Sequence, residues 1–346
     1  MKRFILVTTI LCLGIVLCSC THGNNKHIEI STDAFNKTVD SAEEDAEANT
    51  TNEENPEILL PSGNYTHVGF GVKPGHKVSA ENTKINYPLE VKSSEQLEVA
   101  VFMFANGVPQ KIILDDEVLS PPYLQAMDEI NNEYFSLSTN GYVVEGDSNL
   151  YIRVSLINKP THHPSSETKE GEDMTFGPSN AIQSVGPTEI TEGTFSMETI
   201  PAGTSEQIKL DDGLKEVFGL QGDSFEYTPA TVYLVPKGTN QKAIGPFISK
   251  SDLEKGLDLY VLGGNEKGKY RLSMFVNHEP SDSLDFFVYD CQLNTNMLSH
   301  IKLPSLAEGG SWTENINVDD LIYFMVAPAE GEMGFPFKST SLVVSN

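Results

Sequence analysis

From residue 58 onward, apolar and polar positions alternate with a period of two over much of the chain. Leu97, Val99, Val101 and Met103 alternate with Glu98, Ala100, Phe102 and Phe104. Leu150, Ile152, Val154 and Leu156 alternate with Tyr151, Arg153 and Ser155, and Tyr270, Leu272, Met274 and Val276 repeat the pattern. Successive side chains on a strand point to opposite faces, so the first set of each run is expected in a core and the second toward water. Further strands are predicted over 68–72, 111–114, 232–235, 257–262 and 284–289. Turn residues punctuate them: Lys73-Pro74-Gly75, Asn106-Gly107, Asn140-Gly141, Pro236-Lys237-Gly238 and Gly263-Gly264-Asn265. Helical spacing is confined to short stretches. Tyr123, Leu124, Met127 and Ile130 share one face within 122–134, and 211–220 and 251–255 fit single turns, the last with capping-box spacing from Ser251 to Glu254. Many short strands and few helices predict an all-β chain of antiparallel β-sandwiches rather than an α/β core.

The chain also resembles itself. Met103-Phe104-Ala105-Asn106 recurs as Met274-Phe275-Val276-Asn277 and Pro109 as Pro280, an offset of 171 residues. At the same offset Leu150-Tyr151-Ile152-Arg153-Val154 faces Leu321-Ile322-Tyr323-Phe324-Met325. A third match joins 171–176 to 331–335, and strand-like ends follow at 179–185 and 339–345. Shared order and spacing predict a tandem pair of related domains, 58–186 and 187–346.

The N-terminus reads as an address. Met1, Lys2 and Arg3 precede an apolar run over residues 4–17, short for a bilayer span of about 20 residues but matched to a secretory h-region. Leu17-Cys18-Ser19-Cys20 follows and resembles the lipobox of bacterial lipoproteins. That resemblance, which covers the first 20 residues, implies a signal peptide over 1–19, diacylglycerol on the Cys20 thiol, and a mature chain held at a bacterial cell membrane outside the cytoplasm. Thr21 occupies the position where the family's inner-membrane retention Asp would stand. An ordinary signal peptide with incidental cysteines is the alternative. Residues 20–57 then form an acidic tether: ten Asp/Glu stand against Lys26 and Lys37, with no sustained apolar face. Such composition cannot offset the entropy of backbone ordering, so a flexible spacer is expected. The β-rich remainder is similar in texture to immunoglobulin-like domains of bacterial surface proteins, without their Cys–Trp–Cys hallmark.

Charge narrows the partners. Lys+Arg number 23 against 49 Asp+Glu, a formal charge of −26 over 346 residues. Duplex nucleic acid is excluded as a partner because clustered cations are lacking, and basic proteins or peptides of the envelope are the charge-compatible class. Once Cys12 and Cys18 leave with the signal and Cys20 is acylated, Cys291 stands alone and is expected to be a buried apolar residue. No nucleophile elbow, His-Glu-x-x-His, Walker loop or Cys-x-x-Cys is present.

Three features carry candidate chemistry. His162-His163, with Glu167, Glu170, Glu172 and Asp173, reads either as a solvated loop or as a divalent-metal site. The pairs Asp115-Asp116, Asp211-Asp212 and Asp319-Asp320 read either as turn residues or as calcium ligands. Trp312, after Gly309-Gly310-Ser311, reads either as an exposed ring that stacks on a sugar or a partner, or as a ring folded onto the sheet. The expected function is a lipid-anchored, non-catalytic binding module with no cofactor beyond a divalent cation such as calcium. A cell-wall glycan-binding module or hydrolase, and a solute-binding lipoprotein of a transporter, are the alternatives.

Overall fold

The computed structural model describes residues 68–346 apart from 83, 94–96, 115–116, 119–122, 127–132, 141, 145–149, 159–181, 185–187, 191, 196–197, 221–229, 240–246, 282–287, 296 and 330–333. The chain divides into two units, Met1–Gly63 and Asn64–Asn346, and every described residue belongs to the second. The expected signal peptide, Cys20 and tether lie outside the described residues, as do His162, His163 and the 171–176 repeat. Strands in several sheets make up most of the described structure, with few helices, so the chain is all-β.

The first half runs through β1 (Val68–Val72), β2 (Ser79–Asn82), β3 (Lys84–Ser93), β4 (Leu97–Ala105), β5 (Val108–Leu114), β6 (Glu117–Val118), β7 (Tyr123–Ala126), β8 (Glu133–Asn140), β9 (Tyr142–Val144), β10 (Tyr151–Asn158), β11 (Ile182–Ser184), β12 (Thr188–Glu189), β13 (Glu192–Phe195) and β14 (Glu198–Ile200). Its main path is β11-β10-β4-β5-β8-β3-β2-β13. Strand β5 turns the corner of this sheet. Its first residues pair with β4 (Ala105 with Val108) and its later ones with β8 (Ile112 with Thr139), so one strand feeds both layers. Ile85, Tyr87, Leu89 and Val91 of β3 thereby close over Val99, Val101 and Met103 of β4 and Ile152, Val154 and Leu156 of β10. These are the apolar members of the alternating runs, buried as the period of two predicts.

The second half follows with β15 (Gly203–Thr204), β16 (Glu206–Lys209), α1 (Asp212–Phe218), β17 (Thr231–Pro236), β18 (Phe247–Ser249), α2 (Lys250–Glu254), β19 (Leu257–Leu262), β20 (Gly268–Val276), β21 (Glu279–Pro280), β22 (Val288–Leu293), β23 (Met297–Leu303), β24 (Leu321–Pro328), β25 (Phe337–Lys338) and β26 (Leu342–Ser345). Sheet β15-β22-β20-β24-β26-β18 faces sheet β16-β23-β19-β17. Leu257, Leu259, Val261, Ile301 and Leu303 of one meet Leu272, Met274, Ile322, Phe324 and Val326 of the other. Most pairs are antiparallel, but β2/β13, β9/β14, β15/β22 and β18/β26 run parallel. Residues 188–200, assigned to the second domain from sequence, hydrogen-bond to β10, β2 and β9 of the first half. The change of partner comes between Ile200 and Gly203, where β15 joins β22.

The repeat has a structural counterpart. Phe104 pairs with Pro109 across one hairpin and Phe275 with Pro280 across the other. Both turns place two residues at positive φ, Asn106 and Gly107 in the first and Asn277 and His278 in the second, the geometry that matches strand twist in a two-residue hairpin. Each Asn also clamps the next strand. Asn106 N–H donates to Tyr151 O at 3.0 Å while its Oδ1 accepts from Tyr151 N–H at 2.8 Å. Asn277 does the same to Leu321, at 2.8 and 2.9 Å. Replacing either Asn by Ala is expected to cost about 1–3 kcal/mol, since the strand N–H loses its acceptor and Ala disfavours positive φ; urea denaturation of each variant measures this.

One strand match needs a shift of register. Ala105 pairs with Ile152, and Val276 with Ile322, so the equivalent residues are 170 apart rather than 171. A slip of one flips every side chain to the other face. Ile322, Phe324 and Val326 accordingly line the sandwich interior, while Leu321, Tyr323 and Met325 line the opposite face.

That opposite face is not wet. Ala100, Phe102, Phe104 and Ile157 of the first half pack on Phe275, Leu321, Tyr323, Met325, Ala327 and Val343 of the second, all buried. The expectation that Ala100, Phe102, Phe104, Arg153 and Ser155 face water is therefore corrected. The outer face of each sheet covers the other.

The short helix predicted over 122–134 is corrected where that span is described, while 127–132 lie outside the described residues. Tyr123–Ala126 is strand, paired with Leu97–Ala100. A helix of three turns is marginal by itself, and the ladder offered by β4 wins. Helix α1 forms as expected, with Asp211 as N-cap accepting from Leu214 N–H at 2.9 Å and Gly219 closing it at φ 67°. Helix α2 starts earlier than its sequence signal: Ser249, at the end of β18, is the cap and accepts from Asp252 N–H at 3.1 Å, leaving Ser251 inside the helix.

Candidate functional site

Trp312 lies in a 3-10 turn, Ser311–Thr313, and is fully buried against the second-half core. Its Nε1–H donates to Pro304 O at 2.7 Å. Of the two readings of Trp312, the ring folded onto the sheet is the one observed, and the exposed stacking ring is not. The apolar indole outweighs the loop context, and the turn supplies the one acceptor the ring needs. Cys291 is buried, as expected, and burial pushes its thiol up to about 12, so it is no nucleophile at neutral pH.

The described acidic pairs serve local structure. Asp211 caps α1, and Asp212 pairs with Lys215 at 3.1 Å. Asp320 accepts from Asn317 N–H at 2.6 Å and from Asn277 Nδ2 at 2.8 Å, while Asp319 takes a positive φ of 73°. Asp115 and Asp116 lie outside the described residues. Among the described residues, no group of three or more His, Cys, Asp or Glu is arranged to hold a metal ion.

The most functional-looking constellation stands elsewhere, on the outer face of the β16-β23-β19-β17 sheet. Tyr233, Tyr260, His300 and Glu206 occupy one cross-strand row. The alternation that sends Val232, Leu234, Leu259, Val261 and Ile301 inward turns this row outward. Phe218 of α1 stacks on Tyr233 with centroids 4.2 Å apart, and Tyr260 stacks on His300 at 4.4 Å. Asp258 Oδ1 meets His300 Nε2 at 2.9 Å, and Lys302 Nζ meets Glu206 at 3.2 Å. Burial raises the Tyr233 phenol, and burial with the Asp258 charge raises that of Tyr260, so both stay neutral hydrogen-bonding groups at physiological pH. A carboxylate-oriented imidazole between a phenol and an ion pair can bind polar ligands through hydrogen bonds. Ser299, next in sequence, points to the other face, where it donates to Gln292 O at 3.0 Å and accepts from Gln207 at 2.6 Å, so it does not complete a nucleophile–base pair with His300. Sequence reasoning missed this row. The available signal was an aromatic or His at the outward position of three separate strands.

A second polar group lies beside the layer between the halves. Arg153 and Arg271 are both buried. Arg153 Nη1 donates to Pro328 O at 3.3 Å, and Arg271 Nη1 donates to Asn106 O at 2.6 Å while its Nε pairs with Asp290 at 3.0 Å. Lys338 Nζ donates to Ser341 Oγ at 2.8 Å and Ser339 O at 3.2 Å and lies 5.2 Å from the Tyr323 ring centroid. Burial lowers this lysine to about 8. Tyr323 Oη in turn meets His278 Nδ1 at 3.0 Å.

No family model matches the chain, and no curated protein matches it. Among solved structures, that of the Salmonella enterica SafA pilin in complex with the SafB chaperone (Type I) aligns over 80% of this chain and 97% of that chain, at 12% identity and a TM-score of 0.21. A likeness this slight carries no argument about the chain.

Proposed function

We propose that this is a membrane-anchored, extracytoplasmic lipoprotein whose β-sheet body acts as a non-catalytic interaction module. The single observation that carries the reading is Leu17-Cys18-Ser19-Cys20 directly behind a basic start and an apolar run. The acidic stretch to residue 57 supports it as a spacer, since like charges keep such a chain extended. The partly buried Tyr233, Tyr260 and Asp258, beside the buried His300, offer a polar face without a paired nucleophile. The glycan-binding alternative drew on Trp312 as an exposed ring, and the buried indole withdraws that support.

Cross-linking on intact cells, in low and in high salt, tests the module. The expected result is a specific envelope protein captured by wild type and lost when Tyr260→Ala and His300→Ala are combined. Turnover of a wall fragment by the purified protein, with no captured partner, would overturn the reading in favour of a hydrolase. Anchoring is tested separately by Cys20→Ser, which is expected to move the protein from the membrane fraction to the soluble one, because acyl chains contribute about 0.8 kcal/mol per buried methylene.

A further inference from the structure

We propose that the layer between the halves is a conformational lock, so that residues 68–200 and 203–346 move and unfold as one body. Tandem domains in one chain usually meet through modest polar contacts and move relative to each other unless the interface is large and apolar. Here the interface is a core. Phe102 meets Phe275 edge-on at 5.3 Å and Tyr323 at 6.5 Å, Phe104 meets Phe275 at 6.3 Å, and Phe275 stacks on Tyr323 at 5.5 Å. Each ring from one half is fixed against rings of the other.

Polar contacts then set the register of the layer. Arg153 of the first half donates to the Pro328 carbonyl of the second, and Arg271 of the second donates to the Asn106 carbonyl of the first. The exchange is reciprocal, and both guanidinium groups are buried. Sliding the halves would strip buried charges of acceptors, a change far more costly than losing a surface contact. The Asn106-Gly107 turn acts as the latch. A Cβ at Gly107 would come within 2.9 Å of Ala327 O and 3.2 Å of Pro328 O, and its φ of +81° disfavours any other residue. The first hairpin therefore touches the second half through bare backbone.

The connection adds to the lock. β14 pairs with β9 of the first half and, after only two residues, β15 pairs with β22 of the second. Ile200 and Ala202 in this stretch pack with Val108 and Val144 of the first half and Val288 of the second. No loose linker separates the halves at this crossing.

The chain carries its own reporter, since Trp312 is the one tryptophan and sits in the second-half core. Leu89 belongs to the first-half core. In the full chain, Leu89→Ala is expected to lower the melting temperature by roughly 5 °C or more, with Trp312 fluorescence and far-UV circular dichroism falling together. Ile85→Val, a milder change in the same core, is read in the same way if Leu89→Ala does not accumulate. An indole transition that stays at its wild-type temperature in either variant, while circular dichroism shifts or splits into two steps, would overturn the lock.

Discussion

Replacing Trp312 by Ala is expected to destabilise the chain by about 3–5 kcal/mol, the usual range for emptying a buried large aromatic site. The ring is fully buried and packs in the second-half core. Its removal opens a cavity that the sheets cannot close, because the turn carrying it is held by other contacts. Lys250 Nζ donates to Thr313 O at 3.1 Å and also to Ile316 O. The loss also leaves Pro304 O without the indole donor. Urea denaturation followed by far-UV circular dichroism measures the cost, since the variant lacks the fluorophore. Trp312→Phe, which keeps much of the volume but not the N–H, is expected to lose less. A Trp312→Ala protein as stable as wild type would mean that the ring stands in solvent and is free to stack on a ligand.

The second large effect is a pH dependence seated at Lys338. Burial lowers its pKa from the ordinary 10.5 to about 8. The unfolded chain therefore still holds this proton at pH 9 while the folded chain has released it. Wherever the unfolded state binds more protons, stability rises with pH. The contribution of Lys338 should thus be least favourable below pH 8, improve between about 8 and 10.5, and level off above. The full excursion is about 3 kcal/mol. Cys291 works in the opposite sense. Its thiol is raised to about 12 from 9.0, so its stabilising contribution is lost as pH climbs from 9 toward 12. Comparing wild type with Lys338→Met at each pH cancels the cysteine. The stability of wild type relative to the variant should increase from pH 7 to pH 10.5. A difference that stays flat would mean that the ammonium is solvated and the Lys338–Ser341 contact is a surface one.

The all-β architecture was legible because burial on one face of a strand forces a period of two. Leu97 to Met103 and Leu150 to Leu156 wrote that period plainly. The Asn106-Gly107 turn was legible as well, since both residues tolerate positive φ; its counterpart Asn277-His278 has no glycine and was not marked as a turn. What alternation could not show was the fate of the other face. Ala100, Phe102, Phe104 and Ile157 alternate with the core residues just as solvent-facing positions would. Arg153 and Ser155 gave that face a polar cast, yet the Pro328 carbonyl of the second half accepts from the buried arginine. The opposite face of β24 carries Leu321, Tyr323 and Met325, so this strand is apolar throughout. A strand buried on both faces has no alternation to fix its register, which is why the repeat was offset by one residue.

Local signals failed where a neighbour offered more. Tyr123, Leu124, Met127 and Ile130 trace a helical face, but the edge of β4 supplied hydrogen bonds that a short helix cannot match. Ser251 carried the capping spacing, while the extended backbone needed for a cap belongs to Ser249, with φ −70° and ψ 145°. Trp312 followed glycines and so suggested a loop tip, although it joins a core built from strands distant in sequence. The row Tyr233–Tyr260–His300 was invisible for the same reason: three strands separated in the chain meet only once the sheet forms.

Intact mass analysis of the N-terminal peptide of the protein extracted from cell membranes tests the anchoring claim most directly. The account predicts a chain that begins at Cys20 and carries a diacylglycerol thioether, released only by detergent. A peptide that retains residues 1–19, or one that starts beyond Cys20 without lipid, would contradict it.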